Sequence, residues 1–148
     1  MNNSTLLLLS FSIGVMVVIQ GGINSRLGIL LNNSLLATLI ALTMAASFTL
    51  IAVLISVRQF PSMYQLREIP VYMWVSGGLL SFLAVTLFYY VIPKVGISTA
   101  VTFGLAGQLL FAAIAGHFGW FNMPLEPFTM KKIAGLFMMI AGVILIKI

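Results

Sequence analysis

The sequence predicts an all-α integral membrane protein with five transmembrane helices, and three observations carry that expectation. Of 148 residues, 61% are hydrophobic and only 6% are charged, more apolar surface than a water-soluble domain of this length encloses. The apolar residues fall into five stretches close to the roughly 20 residues that cross the hydrocarbon. The formal charge of +5, from seven Lys and Arg against two acids, sits at the ends of those stretches, where cations reach lipid headgroups and set helix depth. The cations are therefore expected to be anchors in the bilayer and not a nucleic-acid surface. Cysteine is absent, which removes disulfide and thiolate chemistry. Residues 1–5 carry no positive side chain, so the N-terminus is expected to stay in the first span and not to be cleaved as a signal peptide.

One transmembrane domain is expected over residues 1–148, with helices over 5–31, 35–57, 71–91, 97–116 and 128–147. The first is long enough to tilt or to break at Gly21-Gly22. A polar turn, Asn32-Asn33-Ser34, follows, with Ser34 expected to cap the second helix. Small residues line one side of each: Ser10, Gly14, Gly21, Ser25 and Gly28 in the first, Ala37, Ala41 and Ala45 in the second, at spacings that let helices approach closely. The interval 58–70 holds Arg58, Arg67, Glu68 and two prolines and belongs in water or headgroups. The third helix begins with Tyr72 and Trp74 at interface depth, passes Gly77 and Gly78, and is expected to stop at Ile92-Pro93-Lys94-Val95-Gly96. The fourth is the least hydrophobic, with Gly104, Gly107 and Gln108 in its interior. The loop 117–132, with Trp120, two prolines and two lysines, has interfacial composition. The fifth has an uncharged core over 133–146 and spans if Lys131, Lys132 and Lys147 snorkel outward; Gly135 and Gly142, seven apart, share one face for a helix contact.

Gln20, Asn24 and Gln108 stand where a simple anchor carries leucine. Gln20 and Asn24 are four apart and share a helix face. An unpaired polar group in hydrocarbon costs several kcal/mol, so the amides imply either a neighbouring helix to bond or a polar hollow to line. Trp74, a belt residue by default, stands one turn before Gly78 and can turn inward as an aromatic wall.

Charge gives almost no orientation signal. Five spans put Arg58, Arg67, Lys131 and Lys132 on one side and Arg26, Lys94 and Lys147 on the other, four against three under the positive-inside rule. A chain without a preference can insert both ways, and inverted copies can pair as an antiparallel homodimer of ten helices; the alternative is a single orientation set by features that the charge count misses. No enzyme is expected, since no set of nucleophile, base and acid can be assembled. Glu68 and Glu126 both lie in intervals, no acid sits inside a span, and the lone His117 is an interfacial contact or a proton site. No metal, cofactor or catalytic residue is expected.

Gln20-x-x-x-Asn24, Trp74-x-x-Gly77-Gly78, Pro93-x-x-Gly96, Gly107-Gln108, and Gly135 with Gly142-Val143, in this order and spacing, resemble the YdcZ-type half-size branch of the drug/metabolite transporter superfamily across essentially the whole chain. The ending Ala134-Gly135-Leu136-Phe137-Met138-Met139-Ile140-Ala141-Gly142-Val143 is also similar to the dimerising last helix of small multidrug resistance proteins. The resemblance implies a bacterial inner-membrane protein that works as a dimer, often of dual topology, and moves a small metabolite or drug. Two departures count against proton-coupled cation export: Gly116 stands where family members often carry an acid, and 6–20 contains no membrane glutamate.

The expected function is a dual-topology homodimeric secondary transporter of a small polar solute. Gln20, Asn24, Trp74 and Gln108 would contact the solute. Gly21, Gly22, Gly77, Gly78, Gly104 and Gly107 would allow close packing and rocking, and Gly135 and Gly142 would hold the dimer. The alternatives are a passive channel of the same build, or a non-transporting assembly or regulatory subunit.

Overall fold

A computed structural model describes residues 2–147, with the side chain of Lys147 outside the description. The described residues are helical, with no strand. Six α-helices run in order: α1 Asn3–Leu30, α2 Ser34–Ser56, α3 Met63–Glu68, α4 Val71–Val95, α5 Ile97–Phe118 and α6 Met130–Lys147. Of these, α1, α2, α4 and α5 are long and apolar enough to cross a membrane. The fifth predicted span corresponds to α6, 18 residues long with lysines at both ends.

Helix α1 does not break at Gly21-Gly22. Away from water the backbone gains nothing by releasing its internal hydrogen bonds, so paired glycines stay helical. Its end is made by Asn32, whose φ of 50° is left-handed, while the Asn33 N–H donates to the Gly28 carbonyl at 2.9 Å, the wrap-back that satisfies a last-turn carbonyl. The cap of α2 is Asn33 and not Ser34: the Asn33 side chain accepts from the Leu35 and Leu36 N–H groups. Helix α4 also departs from expectation, because it continues through Pro93 to Val95. Proline in a last turn forfeits one hydrogen bond and leaves the chain's direction intact, and the stop falls instead to Gly96, at φ +87°. The interval 58–70 contains α3, closed by a reciprocal capping box between Ser62 and Gln65.

The chain divides into two compact units, one ending at Lys94 and one beginning at Val95. In the first, α1 and α2 form a hairpin packed near its turn. Gly21, Ser25 and Gly28 of α1 and Ala37 and Thr38 of α2 are covered, while Ser10, Gly14 and Ala45 are exposed. A Cβ on Gly28 would meet Ala37 Cβ at 3.6 Å, an ordinary contact, but one on Gly21 would stand 2.6 Å from the Phe88 ring. In the second unit α5 packs against α6 with Ala100 buried. The connection doubles back so that the Glu126 N–H donates to the Gly116 carbonyl at 2.8 Å.

Gly21→Ala would push the Phe88 ring aside, at roughly 1–3 kcal/mol for overpacking, more than the roughly 1 kcal/mol alanine gains over glycine in a helix. Gly14→Ala meets nothing within 4 Å and keeps the helical gain. Thermal unfolding in detergent is expected to fall for the first variant and rise for the second.

Candidate functional site

Polar side chains inside the four long helices differ in how their hydrogen bonds are met. Hydroxyls turn back on their own helix: Ser10, Ser12, Thr38, Ser47, Thr49 and Thr102 each donate to the carbonyl four residues earlier, at 2.7–3.0 Å. Asn24 is met across helices, its Nδ2 donating to the Tyr89 hydroxyl at 2.9 Å, and Tyr89 is 2% exposed. Gln20 and Gln108 are exposed and have no hydrogen-bond partner among the described residues.

Depth separates the two glutamines from the asparagine. At 1.5 Å per residue, Gln20 lies roughly 5 Å from the midpoint of α1 and Gln108 within roughly 1 Å of the midpoint of α5, whereas Asn24 lies roughly 11 Å out. The two free carboxamides thus occupy the positions where unmet hydrogen-bonding capacity costs most. Two hydroxyl oxygens are also covered and unpaired, Ser25 Oγ and Thr86 Oγ1. Each stands one turn from a carbonyl of its own helix, at Gly21 and Phe82, to which such hydroxyls commonly bond.

The four residues expected at the solute do not form one cluster in the protomer. Gln20 and Asn24 lie a turn apart on α1. Trp74, 58% exposed, lies roughly 22 Å along α4 from Tyr89, the residue that meets Asn24. Gln108 belongs to the second unit. The glycines expected at close approaches also divide. Gly21 touches Phe88, while Gly77, Gly78, Gly104, Gly107, Gly135 and Gly142 have no neighbouring atom within 4 Å of a Cβ position in their own units. Among the described residues no three His, Asp or Glu side chains gather as a metal site would require.

Over residues 5–145 the sequence matches the family described as "Putative inner membrane exporter, YdcZ". The chain belongs to the YdcZ family. Comparison with curated proteins and with solved structures finds no match. Membership makes this YdcZ-family chain an inner-membrane protein, in line with its four helices of spanning length, and places it in a family described as exporters.

Sequence reasoning did not single out Tyr89, which stands beside Tyr90 in α4. The two differ: Tyr90 is exposed, with Lys94 Nζ 3.5 Å from its ring centroid, whereas Tyr89 is covered and bonded to Asn24. Its depth was not readable, since the expected span stopped at residue 91; the continuation of α4 through Pro93 places Tyr89 nearly two turns inside, where its hydroxyl needs a partner. In a double-mutant cycle, Asn24→Ala and Tyr89→Phe are expected to couple by about 0.6 kcal/mol, the average for interhelical hydrogen bonds in membranes. Additive unfolding free energies would show the contact to be energetically idle.

Proposed function

We propose that this chain is a dual-topology homodimeric secondary transporter, two inverted five-span protomers that carry a small polar metabolite or drug across the inner membrane. The observation that supports it is the pair of unpartnered carboxamides, one about 5 Å from the midpoint of α1 and one at the midpoint of α5. Each keeps a donor and an acceptor unmet at hydrocarbon depth, and a water-filled or solute-filled hollow meets both. Gln20, Asn24 and Gln108 supply those groups to the solute. On this reading α6 is the fifth span, its terminal lysines reaching the headgroups, and Gly135 and Gly142 lie on the face where two copies meet. Gly22, Gly77, Gly78, Gly104 and Gly107 pack against the other copy and rock as access alternates.

Inversion also gives Trp74 a place. Along α4, Trp74 stands roughly 14 Å from the helix midpoint on one side and Tyr89 roughly 9 Å on the other. A copy turned over in the membrane exchanges the two leaflets, so its Trp74 arrives within about 5 Å of the depth of Asn24 and Tyr89. The stacking wall is then contributed by the partner, as inverted repeats contribute opposite halves of a site within longer transporters.

Because the chain lacks cysteine, single cysteines test this without an identified solute. Gln20→Cys and Gln108→Cys are expected to react with a membrane-impermeant maleimide, while Phe11→Cys and Leu110→Cys, exposed positions on the opposite faces of the same helices, stay unlabelled. Asn33→Cys is expected to be labelled from both sides of the membrane. Amide positions as silent as the controls would remove the hollow, and one-sided labelling at residue 33 would remove the inverted pair.

A further inference from the structure

Two contacts strap the connection between α5 and α6 onto the last turn of α5, and a third ties the connection to the head of α6. The Phe128 N–H donates to His117 Nδ1 at 3.2 Å, the Glu126 N–H donates to the Gly116 carbonyl at 2.8 Å, and Lys132 Nζ meets Glu126 Oε2 at 2.9 Å. The His117 ring also stacks on Phe128, with centroids 4.6 Å apart and planes inclined by 30°, and stands edge-on to Phe118. A backbone amide nitrogen only donates, so Nδ1 is the acceptor and the imidazole is neutral with its proton on Nε2. A proton added at Nδ1 turns that acceptor into a second donor facing the first, and the contact is lost.

We propose that the contact between His117 and the Phe128 amide is a proton-operated latch: the neutral ring holds the connection down on α5, and protonation of Nδ1 releases it. This inference is independent of the transport reading above, since it concerns one connection within one protomer.

The other charged groups on the packed segments are Glu126 in the connection and Lys131 and Lys132 at the head of α6; α5 itself carries no other titratable side chain. Lys132, by its hydrogen bond and its charge, holds the Glu126 carboxyl below the ordinary carboxylate range. A carboxyl lowered in the folded state contributes above its unfolded value and loses that contribution only as pH falls through the lowered one. The Lys132–Glu126 pair therefore persists until the pH falls through that lowered value, which leaves Nδ1 of His117 as the proton acceptor at the contact. The segment the latch restrains includes Phe121 at φ 60°, a left-handed conformation that a bulky side chain rarely adopts, beside Asn122 at the same angle, which asparagine tolerates. Phe121 and Trp120 both pack on Phe111, with centroids 6.5 and 5.8 Å away.

Amide hydrogen exchange at Phe128 in the full-length protein, corrected for intrinsic exchange, reads the latch directly. Lowering the pH from about 8 to about 5 is expected to cut protection roughly fivefold, the effect of losing one neutral hydrogen bond. His117→Asn keeps an acceptor oxygen close to where Nδ1 stood and does not titrate, so it is expected to stay protected at both values. His117→Phe, which has no acceptor, is expected to be unprotected at both. Equal protection of the wild type at the two pH values would overturn the proposal. So would a His117→Asn profile that follows the wild type, which would move the titration to the Glu126–Lys132 pair. The comparison of wild type with His117→Asn decides the matter even if His117→Phe does not fold.

Discussion

The constraint on which the rest of this structure depends is the absence of a hydrogen-bond partner in hydrocarbon. A polar atom at that depth is met by its own helix, by a neighbouring helix or by something that enters the membrane with it. Short side chains take the first route: six serines and threonines bond the carbonyl one turn back. Asn24 takes the second, through Tyr89. A glutamine carboxamide presents two donors and an acceptor with two lone pairs, and at Gln20 and Gln108 neither the helix nor a neighbour within the unit supplies a match. The functional reading follows from that remainder, and the hydrophobicity of the chain decides only its location.

The same constraint explains why so little of the molecule is covered. Ala37, Tyr89, Ile92 and Ala100 are the buried hydrophobic residues among those described, a core far too small for a protein in water. In lipid no hydrophobic force drives helices together, because acyl chains solvate leucine as well as another leucine does. Association then rests on close backbone approach and interhelical hydrogen bonds, and the first unit has both where the small residues fall: Gly28 against Ala37, Gly21 against Phe88, Asn24 against Tyr89. Gly77 and Gly78 on α4, Gly104 and Gly107 on α5 and Gly135 and Gly142 on α6 offer the same opportunity with no taker in their own units, so these faces carry the means of helix association without yet using it.

Much of the fold was legible because span position depends on composition, which sequence states outright. Helix ends were less so where two residues compete for one role. Asn33 and Ser34 are both good caps, and the left-handed turn at Asn32 decides between them. Pro93 reads as a stop, but within a last turn its missing N–H removes a single bond. Six-residue α3 has too few turns for a periodic pattern and shows only as a Ser62–Gln65 capping box. For the site, residue type was legible and partnership was not. Gln20, Asn24 and Gln108 look alike in sequence, yet only Asn24 is bonded, to a tyrosine 65 residues away. The Phe128 amide on His117 was equally hidden, since it depends on a connection that folds back on itself.

The chemistry of carboxamides also bears on which solutes such a hollow accepts. A buried carboxylate binds cations by charge and must itself be neutralised before an empty carrier returns across the membrane, which is why transporters with acidic sites exchange protons. The spans of this chain hold no acid, so an empty site has no charge to neutralise and its return carries no electrostatic penalty of that kind. The selectivity left is that of matched donors and acceptors, with shape and stacking added by an aromatic wall. A neutral polar solute meets both ends of a carboxamide, whereas an ammonium meets only the oxygen and leaves the N–H groups unpaired at a depth where that is costly. On the transport reading proposed above, the missing acids and the unpartnered amides point the same way, toward a polar cargo held without full charge.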